Sequence, residues 1–250
     1  MIRGTTGLRE AYRDDQVARS YIDERFRQPL GALLHRRQVD VVRGAIETHR
    51  PHRVLEIAPG PARVTSGLDA VLVGRSVTLV DASAQMLAEA RLRLRRSGQG
   101  SYGFVQADAF NLPFAEPFDL VYSFRLIRHF EFADRARLYA QIARLVRPGG
   151  WLIFDAVNEV VSAPVRAAAP PGEYAHYDAL LRPDAIRDEL RTAGFDSISL
   201  HGVQHRYPLL AQLQILVAPR SQAVARGAME IVDRLGGGEP LEWVVTCRRG

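Results

Sequence analysis

Val54-Leu55-Glu56-Ile57-Ala58-Pro59-Gly60-Pro61-Ala62-Arg63 reads as an apolar strand that ends on an acid, enters a cramped turn and opens a helix. Small residues in such a turn let backbone approach a ligand closely, and the helix N-terminus supplies unpaired N–H donors. A second strand, Val77-Thr78-Leu79-Val80, ends at Asp81, 25 residues after Glu56. There a carboxylate can accept both hydroxyls of a ribose. A third strand, Phe104-Val105, leads to Asp108. Three acids at the carboxyl ends of three successive strands would line one crevice, the usual ligand site of an open α/β sheet.

The pattern continues outward from this stretch. Leu120-Val121-Tyr122 and Trp151-Leu152-Ile153-Phe154 read as further strands, with helices over Ala62 to Leu72, Ala84 to Arg96 and Ala133 to Val146. Ser83 is a suitable N-cap for the second helix, and Pro148-Gly149-Gly150 is expected to close the third. Strands alternating with helices of this length imply crossovers and a mostly parallel sheet. Upstream, helices are expected over Tyr12 to Arg27 and Leu33 to Thr48, with Pro29 breaking the first and Pro51 ending the second. Downstream, Ala163 to Pro171 reads as a loop or lid. Pro183 to Ala193 reads as a helix, Ile198 to Val203 as a strand, Leu209 to Leu235 as helical, and Leu241 to Cys247 as a last strand.

The expected architecture is an α/β, Rossmann-like, seven-stranded and mostly parallel sheet with an antiparallel last strand. Residues 1–50 would form an N-terminal helical cap and 51–250 the core, with a lid at 158–182 and a helical insertion at 208–236.

Composition narrows the chemistry. With 47% hydrophobic and 24% charged residues over 250, the chain has globular proportions. All 33 basic residues are arginine, which excludes a Schiff-base lysine, a P-loop lysine and a Tyr-x-x-x-Lys pair. The net charge of +5 is spread along the chain rather than gathered, which argues against a nucleic-acid partner. Cys247 alone cannot form an internal disulfide framework or a multi-cysteine metal site. His201 and His205, four apart, lie in a strand-like pattern with no third ligand, so no metal is expected. No apolar run reaches the ~20 residues of a membrane span, and Met1-Ile2-Arg3-Gly4-Thr5 lacks a signal-peptide stretch. A cytoplasmic protein with no membrane partner is expected.

On these residues the chain resembles the class I S-adenosylmethionine-dependent methyltransferases, especially the small-molecule branch of the quinone-biosynthesis enzymes. The family's first motif, an acid and then Gly-x-Gly-x-Gly, reads here from Glu56 through Ala58, Gly60, Pro61 and Ala62. Alanine replaces the first and third glycines, and a positive φ at either would be costly. Phe118-Asp119-Leu120-Val121-Tyr122-Ser123 resembles the fourth motif, and Arg147-Pro148-Gly149-Gly150-Trp151-Leu152 the turn before the fifth strand.

The resemblance implies S-adenosyl-L-methionine as cofactor and S-adenosyl-L-homocysteine as product. It implies Asp81 on the ribose and Asp108, Ala109 and Phe110 on the adenine, with Glu56, Ala58, Gly60, Pro61, Ala82, Met86 and Ser123 completing the set. Tyr12, Tyr21 and Arg25 would cap the methionine end. The acceptor is expected to be a small molecule attacked through oxygen, nitrogen or carbon.

Near the methyl group, His129 is a candidate general base or substrate partner, since imidazole titrates near neutrality. Arg125 and Arg128 are candidates for gripping a carboxylate or phosphate. Other candidates around the substrate mouth are His176, Tyr177, His205 and Tyr207. The apolar repeat Leu209, Leu210, Leu213, Leu216 and Val217 suits a helix that caps the pocket or pairs with a second subunit in a homodimer.

Three alternatives stay open. An NAD(P)-dependent oxidoreductase would share the second-strand acid but needs Gly-x-Gly-x-x-Gly. A nucleic-acid methyltransferase would show a different motif at Ser123-Phe124-Arg125-Leu126. A cofactor-binding partner protein that has lost catalysis is the third.

Overall fold

The computed structural model describes residues 26–97, 100–170 and 177–250. Helix α1 spans Pro29–His49. The helix expected over Tyr12 to Arg27 lies, but for its last two residues, outside the described residues; Pro29 itself is the first residue of α1, where a missing N–H costs nothing and the fixed φ suits a helical start. Of the buried face of α1, Leu34, Val39, Val42 and Ile46 pack with α2 (Arg63–Leu72), whereas Leu33 belongs to a separate small cluster. A Cβ at Gly67 would stand 3.0 Å from the Val39 side chain, so glycine lets the two helices meet.

Strand β1 (Arg53–Ile57) leads into α2, β2 (Ser76–Asp81), α3 (Ala84–Ser97) and β3 (Tyr102–Gln106). β4 (Phe118–Ser123) follows, then a short 3₁₀ turn (Ile127–His129), α4 (Phe132–Leu145) and β5 (Val146–Asn158). With β7 at Phe195–Val203 and β8 at Glu242–Arg249, the sheet order is β3-β2-β1-β4-β5-β8-β7. β1 pairs parallel with β2 and β4, whereas β8 runs antiparallel to both β5 and β7. Alternate residues of each strand feed two cores. Leu55, Val121, Leu152 and Phe154 belong to one. Val54, Leu79, Leu120 and Ile153 belong to the other. Helices cover both faces, and the carboxyl ends of β1, β2 and β4 open on one edge.

Four local expectations need correction. An eighth strand, β6 (Leu180–Leu181), pairs with Val157 and Asn158 at the end of β5. It is too short to carry a pattern. Pro148-Gly149-Gly150 does not cap α4, which stops at Leu145; the three residues sit in the β5 run. The stretch expected as a loop or lid begins with helix α5 (Glu159–Ala167), although Pro164 lies inside it. Asn158 caps α5, its Oδ1 accepting from Val160 N at 3.0 Å. Finally, the Leu209 to Leu235 stretch is two helices, α7 (Tyr207–Leu216) and α8 (Gln222–Leu235), after α6 (Pro183–Thr192) and β7.

Candidate active site

The turn after β1 takes an unusual backbone. Ala58, Gly60 and Ala62 have φ of 52, 54 and 57°, so both alanines adopt the left-handed conformation flagged as costly. Each such residue costs about 1–2 kcal/mol. The geometry is held by Ala58 N–H donating to Val80 O at 2.8 Å and Ala62 N–H to Pro59 O at 3.0 Å. Alternation of these positions turns the backbone into a cradle. A Cβ at Gly60 would meet only the Met86 sulfur, at 4.0 Å.

Asp81 closes the cradle from β2. Its Oδ2 accepts from Gly60 N–H at 3.1 Å and its Oδ1 from Ser83 N–H at 2.9 Å. Each carboxylate oxygen offers about two acceptor sites, which leaves capacity for two ribose hydroxyls. Burial raises its pKa, against the pull of the backbone donors.

Glu56 is buried at the end of β1. Thr65 Oγ1 donates to its Oε2, and the Tyr122 hydroxyl, 2.7 Å from the same Thr65 oxygen, donates in turn. Burial, with Asp81 adding to it, pushes the Glu56 pKa from 4.5 up to about 7, against the Thr65 hydrogen bond and the Arg63 charge. Asp108 folds back on its own loop, Oδ1 accepting from Phe110 N–H at 3.1 Å.

These groups share a cavity of about 420 Å³, within the ~300–1,000 Å³ of small-molecule sites. Glu56, Ala58, Gly60, Asp81, Ala82, Met86, Asp108, Ala109 and Phe110 all line it, as does Arg125. The wall includes Phe124, Leu126 and Phe130, with Phe110 and Phe130 packed edge to face at 5.0 Å. A pocket with three acids at strand ends, a small-residue turn and apolar walls fits an adenosyl group with a cationic tail.

Several expected residues lie elsewhere. Ser123 donates to the Ile57 carbonyl at 2.8 Å, locking β4 to β1, and neither it nor Pro61 lines the cavity. His129 does not reach the wall either. Its Nδ1 is 2.9 Å from Tyr177 O and 3.0 Å from Asp178 Oδ1. Both partners are acceptors, so Nδ1 carries the proton. Tyr177, His205 and Tyr207 are also absent from the wall. Tyr12, Tyr21, Arg25 and His176 lie outside the described residues.

Arg128 likewise turns inward. Its guanidinium meets Asp155 at 3.2 Å, Glu242 at 2.9 Å and Asp178 at 3.0 Å. Asp178 also takes Arg166 at 2.6 Å. Burial pushes Asp178 upward, but the His129 hydrogen bond and the Arg128 charge hold its pKa well below the usual carboxylate range. Asp155 reaches back to the site, its Oδ1 accepting from Arg125 N–H at 2.6 Å. That bond fixes Arg125 at a φ of 61°.

The sequence reading passed over Arg63, which opens α2 and lines the cavity. It is held by His35 Nδ1 at 2.6 Å, Gln38 Oε1 at 2.7 Å and the Phe26 ring at 3.9 Å. Burial first, then Arg63 and its arginine neighbours, lower the His35 pKa to about 4, so His35 accepts as a neutral ring. The signal was Arg63's place in the first helical turn after the cradle. Only the α1 partners show why it stays there.

Comparison with known proteins places this geometry. A family profile described as a methyltransferase domain matches residues 54–150. A ubiquinone biosynthesis O-methyltransferase of Aromatoleum aromaticum is 31% identical over 163 residues, covering 61% of this chain and 68% of that one. The chain belongs to the class I S-adenosylmethionine-dependent methyltransferases. A malonyl-[acyl-carrier protein] O-methyltransferase of Methylococcus capsulatus is 32% identical over 182 residues, 70% of this chain and 64% of the relative's length. In fold, the methyltransferase is similar to magnesium protoporphyrin IX methyltransferase from Synechocystis, solved with bound S-adenosylhomocysteine. That match has a TM-score of 0.70 at 16% identity and covers 99% of this chain and all of that one.

The enzyme therefore transfers a methyl group from S-adenosyl-L-methionine to a nucleophile of a small molecule, and the oxidoreductase alternative falls away. Among the described residues, no helix of this methyltransferase is long and apolar enough to cross a membrane.

Proposed function

We propose that the enzyme methylates an oxygen of a small, partly apolar, anionic acceptor that Arg125 grips. The observation that carries this reading is the wall of Phe124, Arg125, Leu126 and Phe130, one cation set in an apolar surface of the cavity that holds the three acids. Both named sequence relatives being O-methyltransferases supports oxygen as the atom.

Bound in the cavity, the cofactor supplies an electrophilic methyl group on a sulfonium. The chain's own residues do the rest. Asp81 accepts the ribose hydroxyls, while Asp108 and the Ala109 backbone meet the adenine edge between Met86 and Phe110. Ala82 lies beside the ribose, and Ala58 and Gly60 bring backbone against the tail. Glu56 gives up its proton and faces the ammonium, with Arg63 at the same end for the carboxylate. Ser123 acts one step removed, by fixing the Ile57 carbonyl. Arg125 favours the ionised form of the acceptor, which then attacks without a general base. Holding the two reactants in line supplies about 7–11 kcal/mol of the barrier reduction. His129 is a positioning residue, acting through Asp178 on the chain after residue 176.

We read the protein as cytoplasmic and as divided into a cap over residues 1–50 and a core over 51–250. The lid is placed at 158–182 and the insertion at 208–236. The packing of α1 on α2 and the place of α7 and α8 between β7 and β8 support that division.

The test is a transfer assay with labelled cofactor against phenols, carboxylates and amines of matched size. Turnover with the anionic oxygen acceptors, and a large rise of their KM in Arg125→Ala, is the expected result. Transfer to amines alone would overturn the acceptor class.

A further inference from the structure

Asp155 stands where β4 leaves the sheet. The last pair between β4 and β5 is Ser123 with Phe154, so the next residue of β5 lies beside the chain as it turns off toward the cavity. Asp155 is 2% exposed, and its Oδ1 accepts from the backbone N–H of Arg125 at 2.6 Å. On either side of Arg125 the chain is pinned. Ser123 is tied to the Ile57 carbonyl, and Arg128 to buried carboxylates. Arg125 is the pivot between these fixed points.

Among the described residues, Arg125 and Ala58 are the two non-glycine residues with a left-handed backbone that line the cavity. For an arginine that conformation is disfavoured about tenfold against ordinary backbone. It persists where neighbours impose it, and such residues gather at functional sites.

A plainer reading makes Asp155 a counter-ion of Arg128, and the distances argue against it. Arg128 already has two carboxylates. Asp178 takes its Nε and Nη2 at 3.0 and 3.1 Å, and Glu242 takes Nη1 at 2.9 Å. The contact of Asp155 with Nη1, at 3.2 Å, is the longest of the set, whereas its bond to the Arg125 N–H is the shortest. A third buried carboxylate on one guanidinium is repelled by the other two, so its place there needs another cause. The Arg125 amide supplies it, and Arg128 steadies the second oxygen of Asp155.

We propose that Asp155 is a positioning residue for methyl transfer, holding the Arg125 backbone in the left-handed form that sets its side chain on the cavity wall for the anionic group of the methyl acceptor. The inference rests on Arg125 gripping that acceptor, as proposed above. Asp155 itself does not line the cavity. It acts through a population. A molecule bound only by the left-handed form is bound more weakly by the factor through which that form is depleted, about tenfold once the bond is lost.

The test compares Asp155→Ala and Asp155→Asn in the full chain, using the anionic oxygen acceptor that the wild type turns over best. The alanine variant should raise its KM about tenfold, with kcat within about threefold and affinity for S-adenosylhomocysteine within about twofold of wild type. Asparagine keeps one hydrogen-bonding oxygen and should recover part of the KM. Glu242→Gln removes a carboxylate from Arg128 without touching Arg125, so its KM should stay within about twofold of wild type. Should Asp155→Ala not fold, the asparagine variant carries the test through the Arg125 amide proton, read by NMR. Bonded to a carboxylate at this distance, that proton should resonate far downfield in the wild type and move upfield in the variant. Wild-type KM in the Asp155 variants, an equal rise in Glu242→Gln, or a wild-type Arg125 amide without the downfield shift would each overturn the proposal. Arg125→Ala separates the two readings. An unchanged KM there fells the acceptor reading and this inference with it, whereas a KM raised in Arg125→Ala but in neither Asp155 variant fells only the part given to Asp155.

Discussion

The backbone N–H of Gly60 donates to Oδ2 of Asp81 at 3.1 Å, so the residue we propose for the ribose also holds the turn proposed to receive the cofactor's tail. One carboxylate therefore has two tasks. Asp81→Ala should lower affinity for S-adenosylhomocysteine by two to three orders of magnitude, since hydrogen bonds to a charged group contribute about 1.5–3 kcal/mol each. It should also destabilise the apo protein by about 1–3 kcal/mol, because the Gly60 and Ser83 donors lose their acceptor. Calorimetric titration checks the first effect and urea denaturation the second. Undiminished binding would remove Asp81 from the ribose.

With Glu56 facing the ammonium as proposed, cofactor binding becomes a titration. Its folded pKa, about 7, lies above the ordinary 4.5, so the apo folded state holds an extra proton between those values. The sign follows: this group's contribution to stability is fully present below pH 4.5 and is lost as pH rises through 7. The loss is about 3 kcal/mol. A cationic tail beside Glu56 favours the carboxylate, so affinity should rise about tenfold from pH 6 to 8, with proton release at pH 6. Glu56→Gln should flatten that rise and make the apo protein more stable at pH 8. Titration calorimetry in buffers of different ionisation enthalpy reads the proton directly, and a pH-independent wild type would refute the assignment.

The two left-handed alanines leave strain that glycine would relieve. Ala58→Gly and Ala62→Gly should each stabilise the apo protein by about 0.5–1 kcal/mol, a small rise in thermal midpoint. At most other positions the same exchange is destabilising. A fall in midpoint for both variants would show that the turn is not strained in solution.

Asp178 answers for buried Arg128 and for Arg166. Asp178→Asn removes the shared counter-charge and should destabilise by about 3–5 kcal/mol, as for other broken buried pairs. Its depressed pKa sets the window. The contribution is present above the unfolded value of 3.8 and is lost only as pH falls through the lower folded value. The wild-type advantage over the variant should therefore be constant from pH 5 to 8, as measured by chemical denaturation.

Legibility followed how local each determinant is. Glu56, Asp81 and Asp108 could be placed because a strand end and its next turn are contiguous in sequence, and the parallel sheet then brings three such ends together. Residues whose direction depends on distant partners could not. Ser123 ends the correct strand, yet its hydroxyl goes to Ile57 O. His129 follows the correct strand too, but the 3₁₀ turn and Asp178, nearly fifty residues on, draw it inward. Arg63 was overlooked because its partners His35 and Gln38 lie on α1. Pro164 falls in a stretch that reads as a loop, yet it stands inside α5, whose start Asn158 caps.

β8 lies between β5 and β7, although it comes after both in sequence. During synthesis, β7 therefore has no edge to join until residues 242–249 have emerged, and it waits beside α6 with its hydrogen-bonding groups unmet. The strands that carry Glu56, Asp81 and Asp108 need no such delay, because β1 to β4 are already neighbours. Growth of the polypeptide thus assembles the pocket early and closes the sheet late, so that shortening the chain before Glu242 strands β7 rather than the acids.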